Sequence, residues 1–304
     1  MTKFAIAGIQ MHIGLESNLT NLSKQLDLLM HLYPWVNMVV FSELCCDGPN
    51  PTSAEPMGGR NETAFAEMAV KHDIWIVGGS YYEKKDGVIH NTTPVLNPRG
   101  EVVTRYRKMF PFTPYEDETT PGSEFCVFDV PDVGRFGVSI CYDIWFPEIT
   151  RTLTSMGAEV LINPVMASFV DRHADLLAAQ ASAAMFQSYV FHINGLYAGG
   201  NGQSAIYDPT GKALFEAGDG PAMMPVEVDF DRVRTQRKRG FMNMGQPLKS
   251  FRDCETRFDV YSENFDKSYL TSLGPLEKAK RVVPNSDSHS ESTLSQPREG
   301  DING

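Results

Sequence analysis

The sequence predicts an α/β protein built on a mixed β-sheet. Strand-like apolar runs alternate with amphipathic, helix-like segments for most of the chain, and strands interleaved with helices fold with the helices covering a sheet. Two strand-like runs, 88–96 and 101–107, flank Asn97-Pro98-Arg99-Gly100. That tetrad supplies turn residues, so a hairpin enters the sheet and makes it mixed rather than purely parallel. No segment repeats at a fixed period, which sets aside a solenoid.

The elements follow in order. Phe4–Gln10 alternates apolar and small residues as a first strand, and Asn21–Leu32 carries Leu22, Leu26, Leu29 and Met30 at helical spacing behind the N-cap candidates Ser17 and Asn18. Met38–Ser42 reads as a buried strand, 62–72 as a helix and 74–78 as a strand. Between them, 45–60 holds three Pro and three Gly and reads as a loop. Phe136–Ile140 is another buried strand, followed by a helix from about Pro147 and a strand over 159–162. His173–Tyr189 reads as one long Ala-rich helix in which Leu176, Leu177 and Ala181 are the packing candidates. Late strands are expected at 204–207, 213–216 and 223–228, with Asp208-Pro209-Thr210-Gly211 as a turn. The expected organisation is a domain over 1–277 and a disordered tail over 278–304, because the tail is too poor in apolar residues to offset its ordering entropy.

Composition narrows the function. The 304 residues are 42% apolar and 21% charged, as in a soluble globular protein, and the net charge is −11. An acidic chain lacks the basic face that nucleic acid or an anionic membrane surface requires. No apolar run approaches the ~18 residues of a membrane span. The N-terminal MTKFAIAGIQMH has no long apolar core or cleavage site and reads as a strand rather than a signal peptide. Five cysteines (Cys45, Cys46, Cys126, Cys141, Cys254) without a C-x-x-C pair suit free thiols in a reducing compartment, hence the cytoplasm. The seven His do not cluster at ligand spacing, so no metal is expected.

Three residues stand at the ends of strand-like runs. Cys141 ends the run in GRFGVSICYDIWFPE just ahead of a helix, where the helix N-terminus favours thiolate and the Tyr142 N–H can face an oxyanion. By itself it reads as an inert core thiol, since free Cys is among the most buried residue types. Glu43 follows the apolar run of MVVFSE. It shares strand parity with Phe41, and partial burial there would raise its pKa into the range of a general base. By itself it is a solvated strand end. Lys108 follows Arg107 in TRYRKMFPF with the opposite parity, so one of the two points inward, which requires paired carboxylates. Together they supply a nucleophile, a base and an oxyanion partner.

The segments FSELCC, RYRKMFPF and SICYDIWFPE resemble the three signature blocks of the nitrilase superfamily of carbon–nitrogen hydrolases, in the same chain order. GQSAIYDPTGKAL resembles the family's late block, and the likeness spans about residues 3 to 250. The resemblance implies an α-β-β-α sandwich of two stacked sheets, assembled as homodimers or larger homo-oligomers. It implies Glu43, Lys108 and Cys141 as catalytic residues acting on a small-molecule amide, with no cofactor. Glu116 matches the family's second carboxylate, with Glu118 the alternative. Residues just past the nucleophile, here Tyr142 and Trp145, are implied to line the substrate pocket.

The chain also departs from the family. The polar pattern common on the long helix is replaced by Ala181-Ser182-Ala183-Ala184-Met185-Phe186-Gln187. Cys141-Tyr142-Asp143 stands where true nitrilases carry Cys-Trp-Glu, which favours amide or carbamoyl bonds over nitriles. N-carbamoyl amine hydrolase and nitrilase are the alternatives; a catalytically idle interaction protein on the same fold is the answer of a different class. Ile144 and Trp145 occupy positions that carry cations in relatives acting on carboxylate-bearing substrates, so a neutral or cationic amide is expected unless Arg172 or His173 turns inward. Asp143 is expected to fix the turn, the basic run 232–239 to be a solvated face or subunit contact, and Cys45 and Cys46 either to line the site entrance or simply to pack.

Overall fold

The computed structural model describes residues 2–168 and 171–278. In chain order the strands are β1 (Lys3–Gln10), β2 (His12–Ile13), β3 (Met38–Val40), β4 (Trp75–Val77), β5 (Tyr81–Lys85), β6 (Val88–Leu96), β7 (Val102–Arg107), β8 (Cys126–Val130), β9 (Gly134–Val138), β10 (Val160–Val165), β11 (Tyr189–Asn194), β12 (Leu196–Tyr197), β13 (Gly200–Asn201), β14 (Ala205–Tyr207), β15 (Ala213–Glu216) and β16 (Ala222–Asp229). The helices are α1 (Leu19–Leu32), α2 (Arg60–His72), α3 (Pro147–Ser155), α4 (Arg172–Phe186), α5 (Phe230–Arg239), α6 (Pro247–Arg252) and α7 (Ser268–Ser272).

One sheet runs β16-β1-β3-β4-β6-β5, with β7 also on β6; the other runs β15-β14-β11-β10-β9-β8. A small third sheet joins β13, β12 and β2. Both large sheets are mixed: β1, β3 and β4 are parallel, as are β9, β10 and β11, and the flanking pairs are antiparallel.

Strand alternation divides the core into layers. Met38 and Val40 of β3 face a cluster between the sheets that also holds Phe4, Phe136, Ile162 and Phe191. Val39 points the other way, onto Leu22, Leu26 and Leu29 of α1 and Phe65 of α2. On the outer face of the second sheet, Leu161 and Val190 meet Ile149 and Leu153 of α3 and Ala179 and Ala183 of α4. The order is helices, sheet, sheet, helices, the sandwich that the family resemblance implied.

Several local expectations are corrected. The long helix ends at Phe186 because Gln187 turns into the left-handed region (φ 50°, ψ 54°), and Tyr189 opens β11. Leu177 and Ala181 lie outward; the buried face of α4 is Asp175, Ala179, Ser182, Ala183 and Phe186. Strands β5 and β8 had no expectation attached. The basic run on α5 is not simply solvated: Arg237 donates to the Ala158 and Gln187 carbonyls, Arg234 pairs with Glu159, and Arg232 pairs with Asp208. Cys45 and Cys46 are buried beneath α1 and α2 and pack there, with the Cys45 thiol donating to the Gly78 carbonyl at 3.5 Å.

The described residues divide into two units, one ending at Asp266 and one beginning at Lys267. The first holds all the sheets. In the second, the described part contains α7, and the expected tail lies outside the described residues from 279 onward. Among the described residues no helix is long and apolar enough to cross a membrane.

Candidate active site

The site is assembled from strand ends. β3 stops at Val40 and Leu44 adopts φ 49°, so the chain leaves the sheet between them. The Glu43 N–H reaches across to the Val165 carbonyl at the end of β10 in the opposite sheet, 3.2 Å away. Glu43 is therefore not carried onto the helix-facing side with Phe41: strand parity ends where the strand does. Lys108 follows β7, and its N–H donates to the Asn91 carbonyl of β6 at 2.9 Å. Arg107, of opposite parity, turns outward onto Glu83. Cys141 lies three residues past the end of β9.

Lys108 Nζ donates to Glu43 Oε1 at 2.8 Å and to Glu116 Oε2 at 2.6 Å. Asn91 Nδ2 bridges the same carboxylates, at 2.8 Å to Glu43 and 3.1 Å to Glu116. Glu43 Oε1 is thus doubly engaged, whereas Oε2 has no hydrogen-bond partner among the described residues; the Cys141 thiol neighbours the Glu43 side chain. Glu116 is further fixed by the Phe112 N–H at 2.6 Å. Glu118 is exposed, so the structure brings Glu116, not Glu118, to the ammonium.

Burial sets the protonation states. It pushes the Glu43 carboxyl up, and the Lys108 charge offsets only part of the push. Burial alone would lower Lys108, but Glu43 and Glu116 outweigh it and hold the ammonium charged. Glu116 lies below the usual carboxylate range because Lys108 and its hydrogen bonds overcome desolvation. Burial and then the Glu43 charge push the Cys141 thiol well up, while Lys108 and a backbone hydrogen bond from Met166 pull the other way. Burial thus holds Cys141 as a thiol, next to a Glu43 carboxyl whose Oε2 has no hydrogen-bond partner among the described residues.

Cys141 opens a short 3-10 turn, Cys141–Trp145, and α3 starts only at Pro147. The thiol therefore sits on a one-turn segment rather than on the helix itself. Its backbone is in the left-handed region at φ 46°, which costs a non-glycine residue on the order of 1–3 kcal/mol. Asp143 holds the turn. Oδ2 accepts from the Ile140 N–H (2.9 Å) and the Tyr106 hydroxyl (2.7 Å), and Oδ1 accepts from the Phe110 N–H (2.9 Å). The first internal bond of the turn runs from Asp143 N–H to the Ile140 carbonyl, so the N–H groups of Cys141 and Tyr142 precede it and are not spent within the turn.

Tyr142 and Trp145 form an aromatic rim with their neighbours. Tyr142 contacts Phe112 and Phe146, each at 5.1 Å between centroids, and Trp145 at 6.0 Å. Trp145 is 40% exposed, and its indole N–H donates to Asp175. Arg172 is buried and paired with Asp175, and His173 is exposed.

Sequence reasoning missed Asn91, Asp175 and His192. For Asn91 a signal existed: Asn91-Thr92-Thr93 is a polar triplet inside an otherwise strand-like run, and all three are fully buried. Asp175 and His192 carried none, since a single acid on a helix and a single His in an apolar strand look ordinary. Among the described residues no group of three or more His, Cys, Asp or Glu is placed to hold a metal ion.

The family model for carbon-nitrogen hydrolase matches residues 5–238, a stretch that contains Glu43, Lys108, Glu116 and Cys141. The chain belongs to the carbon-nitrogen hydrolase family. Within this family it is 26% identical to the omega-amidase NIT2 of Homo sapiens, over 88% of this chain and all of that protein. It is 30% identical to hydrolase C26A3.11 of Schizosaccharomyces pombe, over 66% of this chain and 63% of the relative. The crystal structure of Saccharomyces cerevisiae Nit3, a member of branch 10 of the nitrilase superfamily, superposes with a TM-score of 0.73 at 25% identity, covering 78% of this chain and 94% of that one. This carbon-nitrogen hydrolase therefore has the nitrilase-superfamily sandwich.

Proposed function

We propose that the protein is a cysteine-dependent amidase that releases ammonia and a carboxylic acid from a small neutral amide. The observation that carries this reading is the geometry at Glu43: Oε1 is fixed by Lys108 and Asn91, Oε2 has no hydrogen-bond partner among the described residues, and the Cys141 thiol is beside the same side chain. The omega-amidase among the relatives is consistent with it.

In this mechanism Glu43 takes the Cys141 proton through Oε2 and the sulfur attacks the amide carbon. Negative charge develops on the carbonyl oxygen, where the Lys108 ammonium and the Tyr142 N–H stabilise it. The protonated Glu43 gives its proton to the amide nitrogen, the C–N bond breaks, and ammonia leaves a thioester on Cys141. Glu43 then removes a proton from water, hydroxide adds to the thioester, and the proton returns to sulfur as the acid departs. Glu116 keeps Lys108 charged and aimed. Tyr142 and Trp145 contact the acyl group.

Arg172, the cation that a carboxylate-bearing substrate would need, is neutralised by Asp175, which supports a neutral substrate. The proposal takes residues 1–277 as the hydrolase domain and places it in the cytoplasm, a reading supported by free cysteines at all five positions. It also takes the protein as a homodimer or larger homo-oligomer, supported by exposed apolar side chains on α4 (Leu177, Met185) and in the segment after α5 (Phe251, Phe258).

The test is a screen of primary amides, N-carbamoyl amines and nitriles for ammonia release. Turnover of a primary amide supports the reading; exclusive turnover of carbamoyl compounds or nitriles replaces it with one of those activities. No turnover, together with no cysteine alkylated faster than the other four, replaces it with an idle interaction protein.

A further inference from the structure

Beneath the Cys141 turn, a chain of buried polar side chains leaves the backbone two residues before the nucleophile and returns four residues after it. Asn163 Nδ2 donates to Ser139 Oγ at 2.9 Å. Asn163 Oδ1 lies 2.7 Å from His192 Nδ1. With its amide nitrogen spent on Ser139, Asn163 presents oxygen to the ring, so Nδ1 carries the proton and Nε2 accepts. Arg172 Nη1 donates to that Nε2 at 2.8 Å and to Asp175 Oδ2 at 2.7 Å, and Arg172 Nη2 donates to the Gln203 carbonyl. Asp175 Oδ2 lies 2.9 Å from the same Nε2; both are acceptors, and the shared Arg172 Nη1 donor holds them together. The last link is the Trp145 indole N–H, which donates to Asp175 Oδ1 at 3.1 Å. Ser139, Asn163, His192, Arg172 and Asp175 are all buried, whereas Trp145 keeps one side open.

The links are unequal in what they leave free. Arg172 locks one Asp175 oxygen, and the other is given to Trp145. Indole has a single donor, so this bond fixes the rotation of a ring that otherwise turns about two side-chain torsions. The ring so fixed belongs to the rim formed with Tyr142, Phe112 and Phe146, in which Trp145 and Phe112 are the exposed members. Aromatic pairs are favourable only in offset or edge-on arrangements, so holding one partner's plane decides how well another aromatic ring is received.

We propose that Asp175 is a positioning residue for Trp145 and, through the fixed indole, sets the preference of the site for amides with an aromatic acyl group over those with a short aliphatic one. This rests on the reading of the protein as an amidase whose acyl pocket includes Trp145. Arg172 serves as the counter-charge that lets Asp175 remain an ionised acceptor away from water.

The test compares kcat/KM for benzamide and propionamide in the wild-type protein, in Trp145→Phe, and in two paired variants. Arg172→Met with Asp175→Leu removes the ion pair and the acceptor together. Arg172→Met with Asp175→Asn removes the ion pair but keeps an oxygen for the indole. The benzamide-to-propionamide ratio should fall about threefold to tenfold in Trp145→Phe, the range that an aligned aromatic pair supplies. It should fall equally in the Leu pair, chiefly through KM for benzamide, and stay within about twofold of wild type in the Asn pair. Adding Trp145→Phe to the Leu pair should change it no further, since coupled residues do not add. An unchanged ratio in Trp145→Phe overturns the proposal, and that variant leaves the buried ion pair intact should an Asp175 variant not fold. Equal falls in the Leu and Asn pairs overturn it as well, by showing a merely structural role. If the wild-type protein hydrolyses neither amide, the ratio is read from the Kd values of both amides for the Cys141→Ala background by calorimetry. That failure of turnover counts against the amidase reading, and the binding ratio still decides the role of Asp175.

Discussion

Glu43 and Lys108 meet at 2.8 Å with no more than 1% of either side chain exposed to solvent. A buried ion pair of this kind is held less by its own attraction than by the groups that complete it, because desolvating both charges costs several kcal/mol per ion. Glu116 and Asn91 complete this one. Lys108 faces two carboxylates, so neither has to neutralise it alone, and Glu43 can keep a raised pKa beside a cation.

Removing the Glu116 charge should therefore weaken Glu43 as a base, since Lys108 would lean on Glu43 alone. Glu116→Gln is expected to lower kcat about a hundredfold, the scale of losing one preorganised electrostatic group. Cys141 should still be acylated by a reactive ester in that variant. Full activity in Glu116→Gln would remove Glu116 from the mechanism.

The pH profile follows from the direction of the Glu43 shift. Burial raises its pKa above the ordinary carboxylate value, and only the ionised form accepts a proton. The acid limb of kcat/KM should lie above pH 4.5, with activity rising as pH rises through the raised Glu43 pKa. In Glu116→Gln that limb should move to lower pH. A limb at or below pH 4.5 in the wild-type protein would contradict the assignment of Glu43.

Asp143 should matter for stability more than any other acid near the site. Its three donors are two backbone N–H groups and the Tyr106 hydroxyl, and it is fully buried, with burial pushing its carboxyl up to about 6. Asp143→Ala leaves those donors unpaired at about 1–3 kcal/mol each, so denaturant unfolding should show a loss of about 3 kcal/mol or more. A loss under about 1 kcal/mol would mean that water replaces the carboxylate without penalty.

Substrate charge is the most exposed expectation. Ile144 is buried against α3 and α4, and a carboxylate brought against Trp145 finds Arg172 already neutralised by Asp175. Specificity constants should favour a neutral amide over an N-carbamoyl amino acid of similar size. A tenfold preference for the carboxylate-bearing compound would show that the pocket draws on another cation.

The layers of the fold were legible because alternation in β3 and helical spacing in α1 are local patterns, and each names the face it buries. The meeting of Glu43, Lys108 and Cys141 was legible only as three strand ends in a familiar order. The face that Glu43 takes was not, because it is set by the left-handed turn at Leu44 and by a bond to Val165 in the other sheet. The end of α4 was hidden for a related reason: Gln187 ends the helix through its backbone conformation, without the glycine or proline that usually announces a stop. Asn91 and Asp175 gain their meaning from partners 48 and 30 residues away, which no window of sequence contains.

The central claim is that Cys141 forms a thioester during amide hydrolysis. The direct measurement is intact mass of the protein quenched during turnover of a good amide, with peptide mapping, in parallel with the activity of Cys141→Ala. The account predicts an acyl adduct on Cys141 in the wild-type protein, no adduct in a folded Cys141→Ala variant, and loss of all measurable turnover there. An adduct on another residue, or more than a few per cent of wild-type activity in pure Cys141→Ala, would contradict it.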